Sequence, residues 1–266
     1  MAIKRFHEAP ISIFDKVQGI TDGDYFLVHL FEQSPEYLQK YYQAKEQGRE
    51  TILDNSIFEL GEAFDMDLFA DWVSKLEPTW YIVPDVLEDG QRTVNNLNKW
   101  NEKYGNSFPN SKKIAVVQGK SYGEIHDCYE YICGWGNVDM IAISFDYSYY
   151  RESFPHPNKY MSWMLGRVKL LGDLLDDGVI DVKKPHHLLG IALPGEGLFY
   201  KDYNWIYSID SSNPVVHGIK GVEYITNFGL FTKESQKLHE MINYPATDIY
   251  WRKVESNIEE FKKLWS

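Results

Sequence analysis

The run Ile114-Ala115-Val116-Val117 is wholly apolar and stops abruptly at Gln118-Gly119. An apolar stretch this short and uninterrupted suits a strand buried on both faces, and such strands belong to parallel sheets covered by helices. The same form recurs along the chain. Before it stand residues 25–31, 51–53 and 80–83; after it stand 140–143, 188–193, 205–209 and 221–225. Between these runs, residues 35–47, 66–76, 90–104, 122–133 and 160–175 are polar or amphipathic and predict helices. Eight strand candidates alternating with helices predict an α/β fold, a (β/α)8 TIM-type barrel rather than an open doubly wound sheet. One domain over residues 1–266 accommodates all of it, with a C-terminal helix near 250–265 packing on the barrel as a cover.

The composition narrows the class. Hydrophobic residues make up 44% and charged residues 25% of the 266, the balance of a soluble globular protein. No run approaches the roughly 18 apolar residues of a membrane span, and Lys4-Arg5 leads into polar sequence rather than an apolar leader. A cytoplasmic protein with no membrane partner is expected. The two cysteines, Cys128 and Cys133, match neither a disulfide framework nor a zinc knuckle and read as buried free thiols. No Cys/His cluster and no Gly-rich phosphate loop is present, so neither a catalytic metal nor a cofactor is expected.

A net charge of −12 argues against a tight, sequence-independent grip on nucleic acid, because phosphate contacts supply most of that affinity. The lysines available for a local basic rim are Lys112, Lys113, Lys120, Lys183, Lys184 and Lys220. His186 and His187 precede a predicted strand; they are placed at the rim away from the site and read as structural.

What ends the strands is more informative. The predicted strands run into Asp54-Asn55-Ser56, Pro84-Asp85, Gln118-Gly119, Ser144-Phe145-Asp146, Pro194-Gly195-Glu196 and Asp210-Ser211-Ser212. In a parallel barrel these positions converge on one rim, where the loops after the strands build the site. A single Asp there is an ordinary cap, but three aspartates and a Gln-Gly on one rim describe a polar site. Closely placed carboxylates suit chemistry at an anomeric carbon, one as nucleophile and another moving a proton to and from the leaving group.

These segments resemble the tRNA-guanine transglycosylase superfamily. Val116-Val117-Gln118-Gly119 is similar to its VQG strand, and residues 188–196 are similar to its LMGVGxPED segment. Ile209-Asp210-Ser211-Ser212-Asn213-Pro214 resembles the stretch carrying its nucleophile. Residues 53–59 resemble its TDSGGFQ loop, and Pro84-Asp85-Val86 the loop that reads the guanine edge. The resemblance implies Asp210 as covalent nucleophile at C1′ and Asp54 as general acid/base. It further implies Asp85 on the purine N1 and 2-amino edge, Gln118 and Gly119 on O6, and Phe58 stacking on the base. Asn55 and Ser144 complete the implied base site.

The chain also departs from that pattern. It lacks the family's zinc ligands and carries Ser144-Phe145-Asp146 where the family has Gly-Gly-Leu. A compact, zinc-less chain looks more like the phage-encoded DNA 7-deazaguanine transglycosylases (DpdA type). That resemblance implies exchange of guanine in DNA, flipped out or single-stranded, for a free 7-deazaguanine base, which shields phage DNA from restriction in the host cytoplasm. The same exchange on tRNA is the runner-up. A nucleosidase or N-glycosidic hydrolase and a non-catalytic binding barrel are the further alternatives.

Overall fold

The computed structural model describes residues 2–234 and 237–266. Eight parallel strands form one sheet: β1 (Lys4–Phe6), β2 (Asp24–Leu27), β3 (Thr51–Asp54), β4 (Trp80–Ile82), β5 (Lys112–Val117), β6 (Met140–Ile143), β7 (His186–Leu188) and β8 (Ile206–Asp210). From β2 to β8 each strand pairs with its neighbours in chain order, and β1 pairs with β8. A parallel bridge between Phe6 and Gly23, just ahead of β2, joins the two remaining edges. The expected (β/α)8 barrel is the observed fold.

The helices form where their faces demand it. Met66–Leu76 buries Phe69, Ala70, Val73 and Leu76, one stripe at helical spacing. Each large apolar side chain buried there contributes about 1.5–3 kcal/mol. Side-chain caps set the starts: Ser34, Asp65, Asp89, Ser121 and Asn158 each accept from a backbone N–H in the first turn. The final helix, Asp248–Leu264, buries Val254, Asn257, Ile258 and Phe261. It lies chiefly against the helix Asn213–Ile219.

Three strand readings shift. The barrel's first strand is Lys4–Phe6, and residues 221–225 form turns. Lys4 and Arg5 hide the strand from any hydrophobic pattern, since only Phe6 is buried; Lys4 pairs with Glu50 and Arg5 with Asp22. The run 25–31 divides into β2 and a helix, Val28–Gln33, because a continuous apolar run fits a buried strand and a buried helix equally. The run 188–193 leaves the sheet after Leu188. Gly190 is left-handed at φ +55, and a Cβ there would lie 2.4 Å from the Phe145 ring.

At the end where the strands begin, Glu50 plugs the barrel. It accepts from Lys4, from the Tyr207 hydroxyl at 2.7 Å and from the Trp80 indole at 2.6 Å. This end is closed, so the open end is where the strands finish. Both cysteines are free; Cys128 is buried, and Cys133, against the expectation, only half-buried. Among the described residues no helix is long and apolar enough to cross a membrane.

Candidate active site at the open end of the barrel

A cavity of about 160 Å³ opens at the C-terminal ends of the strands. That is about the size of a cavity known to hold a benzene ring. Asp54, Asn55, Phe58, Asp85, Gln118, Ser144 and Asp210 all line it. Of the residues expected there, Gly119 lies outside. It is buried against the helix Tyr122–Trp135, where a Cβ would meet the Ile125 nitrogen at 2.8 Å.

Asp210 ends β8, and its hydrogen bonds among the described residues fall on one oxygen. Oδ1 accepts from His187 Nε2 at 3.0 Å and from the Gly190 N–H at 2.9 Å. His187 therefore belongs to the site, which corrects its placement at the far rim. In β7 alternate residues face opposite ways. His186 turns outward to the Tyr129 hydroxyl at 2.9 Å, while His187 turns into the barrel opposite Ser208. Its Nδ1 is 2.8 Å from Ser208 Oγ.

Asp54 ends β3. It accepts from the Tyr25 phenol and from the backbone N–H of Ser56, which is left-handed at φ 63. Burial, with the charge of Glu59 next, pushes the Asp54 carboxyl up to about 8 despite these two donors. Burial also lifts Glu59, to about 7, and raises Glu8 well above the carboxylate range.

Asp85 sits deeper, only 3% exposed, with both oxygens held by amides. Asn55 Nδ2 donates to Oδ1 at 2.8 Å and Gln118 Nε2 to Oδ2 at 2.7 Å. Asn55 also donates to the Val83 carbonyl and accepts from Ile57 N. Gln118 Oε1 accepts from Glu88 N at 2.9 Å. Both amides are thus engaged with protein, and their present work is to orient Asp85. Burial raises its pKa against these donors.

The mouth is aromatic and partly basic. Phe58 and Phe145 meet edge to face at 5.3 Å. Lys237 Nζ lies 4.5 Å from the Phe58 ring centre and Lys233 Nζ 4.4 Å from that of Phe145. These two are the cations at the cavity, not the six lysines singled out in the sequence. Lys112, Lys113, Lys183 and Lys184 stand where β5 and β7 begin, at the opposite end.

Tyr25, Glu8, Glu59, His187, Lys233 and Lys237 were not identified from sequence. A period-2 reading of β2 and β7 would have placed Tyr25 and His187 inside; nothing local marks the others. Six carboxyls, those of Glu8, Asp54, Glu59, Asp85, Asp210 and Glu234, line one cavity and cannot all carry charge cheaply at neutral pH, so some hold protons while others are free to attack or accept. No family model matches this chain, and no curated protein sequence matches it either.

Proposed function

We propose that the protein exchanges a purine base on a nucleic acid, replacing guanine in DNA with a 7-deazaguanine derivative through a covalent Asp210–C1′ intermediate. The observation that carries this reading is the meeting of Asp54, Asp85 and Asp210 in one cavity at the open end of the barrel. Their environments differ: one is amide-clamped, one is held protonated near neutrality, and one presents an oxygen to the cavity.

Asp210 attacks C1′ as the C1′–N9 bond breaks, and the electron pair leaves with guanine, which takes the proton of Asp54. The incoming base attacks C1′ through N9, returns its N9 proton to Asp54 and displaces Asp210. Asp85 accepts from the N1 and 2-amino edge, with Asn55 and Gln118 keeping its carboxylate in register. Phe58 covers the base plane. The target nucleotide must leave its stack to reach so enclosed a cavity. On the resemblance, the exchange protects phage DNA from restriction enzymes in the host cytoplasm.

The test is mass spectrometry of nucleosides from DNA and from tRNA, each incubated with the protein and a panel of deazapurines. Incorporation into DNA is expected. Incorporation into tRNA alone reassigns the polymer, and base release without incorporation makes the protein a hydrolase.

A further inference from the structure

Within β8, Ser208 and Asp210 are two residues apart and so share the interior face. His187 lies opposite Ser208 in the register, fully buried, and reaches diagonally to Asp210. Its two ring nitrogens therefore have defined partners: Ser208 Oγ on Nδ1 and Asp210 Oδ1 on Nε2. A carboxylate oxygen only accepts, so Nε2 must carry a hydrogen. In the neutral ring Nδ1 is then an acceptor, and the Ser208 hydroxyl donates to it.

The second donor to Oδ1 is the backbone of Gly190, and its position is also built. Arg167, fully buried, donates to the Leu189 carbonyl at 2.7 Å and forms a two-bond ion pair with Glu196. The loop that carries Gly190 is thereby tied to the helix Lys159–Asp176. Two fixed donors converge on Oδ1, and none among the described residues reaches Oδ2.

We infer that His187 is a positioning residue that, with the Gly190 amide, holds Oδ1 of Asp210 and leaves Oδ2 as the atom that bonds to C1′. This rests on the transfer reading of Asp210. When Oδ2 bonds to C1′ and the C1′–N9 pair leaves with guanine, Oδ1 becomes the ester carbonyl and keeps its two donors. When the incoming base takes C1′, the O–C1′ pair returns to the carboxylate. Hydrogen bonds to a charged carboxylate are stronger than to an ester carbonyl. The donors at Oδ1 therefore favour the free carboxylate and speed breakdown of the intermediate more than its formation. Without His187 the covalent state should accumulate.

Two measurements test this, on folded full-length protein checked by thermal melting. Long-range 1H–15N spectra of the wild type should show His187 as the Nε2–H tautomer. His187→Leu, mixed with a guanine-containing single-stranded DNA, should raise the ratio of covalent adduct to free enzyme about tenfold on denaturing gels and slow exchange by a similar factor. His187→Gln, which can place an amide donor near Nε2, should return both towards wild type. Ser208→Ala keeps the imidazole but removes the partner that sets its tautomer, and should reproduce part of the effect if His187→Leu does not fold. An Nδ1–H tautomer in the wild type, or an unchanged adduct ratio in a folded His187→Leu or Ser208→Ala protein, overturns the inference. Failure of the transfer reading looks different: no adduct forms even in the wild type, and Asp210→Asn changes no activity. The positioning role falls with it, and only the hydrogen bond survives.

Discussion

The rings of Tyr25 and His187 lie stacked across the barrel interior, 6.4 Å between centroids and 14° from parallel. Tyr25 donates to Asp54 and His187 contacts Asp210, so the supports of the two carboxylates rest on one another. Tyr25→Phe keeps the ring and its packing but removes the phenol. That hydrogen bond holds the Asp54 pKa down, so its loss should move the alkaline limit of guanine release upward from about pH 8. A pH–rate profile from pH 6 to 10 for both proteins checks it; identical limbs would mean the phenol does not tune Asp54.

Asp54 and Glu59 also link stability to pH. Their carboxyls titrate near 4 in the unfolded chain, but at about 8 and about 7 in the folded one. Between these limits the native state binds more protons than the unfolded state, so stability falls as pH rises. The slope is at most about 1.4 kcal/mol per pH unit for each group. Urea midpoints should be lower at pH 8 than at pH 5, and Asp54→Asn should flatten the difference. A wild-type midpoint that climbs over this range would contradict the assignment.

Asp85→Ala should weaken binding of guanine-like bases by about 2 kcal/mol, through loss of a charge-assisted pair, and relax discrimination against purines without a 2-amino group. Gln118→Ala should do the same more mildly, because its side chain acts through Asp85. Competition binding with guanine and hypoxanthine separates the outcomes; an unchanged preference in both variants removes Asp85 from base reading.

Arg167 and Glu196 form a fully buried pair, with the Tyr200 hydroxyl also on Glu196 at 2.8 Å. Removing one partner strands the other charge, so Arg167→Met should cost about 3–5 kcal/mol. Replacing both with apolar residues should cost less than the sum of the single changes. A double-mutant cycle by denaturant melts measures this, and strict additivity would show the two side chains to be uncoupled.

Purified protein should carry no stoichiometric zinc. Among the described residues one group has metal-ligand geometry, His126, Asp127 and Glu130 on the surface of the helix Tyr122–Trp135, and two of the three are exposed. Chelators should leave the melting temperature unchanged, since no buried group with metal-ligand geometry stands among the described residues. Binding to single-stranded DNA should be weak and should fall with salt on a shallow slope, as contacts through few cations require. A stoichiometric zinc content by elemental analysis would point back towards the zinc-dependent tRNA enzymes.

The apolar runs at 51–53, 114–117 and 140–143 each became a strand, and the amphipathic stretches 66–76 and 90–104 became helices with those bounds. This much is local physics: burial on both faces demands a continuous apolar run, and an amphipathic stripe at helical spacing demands a helix. The strand-end aspartates were legible for the same reason, since a polar residue directly after a buried strand must sit on the rim. What the chain could not state locally is which distant groups share that rim. Lys4–Phe6 closes the barrel although two of its three residues are charged, because Glu50 and Asp22 meet those charges only after folding. Glu8, Glu59 and the pair Lys233 and Lys237 come from three distant stretches of the chain, and the raised pKa values of Asp54 and Glu59 arise from burial and crowding together. His187 next to His186 looks like one of a pair in sequence. The pleat sends one outward and one inward, and only closure of the sheet makes inward mean Asp210.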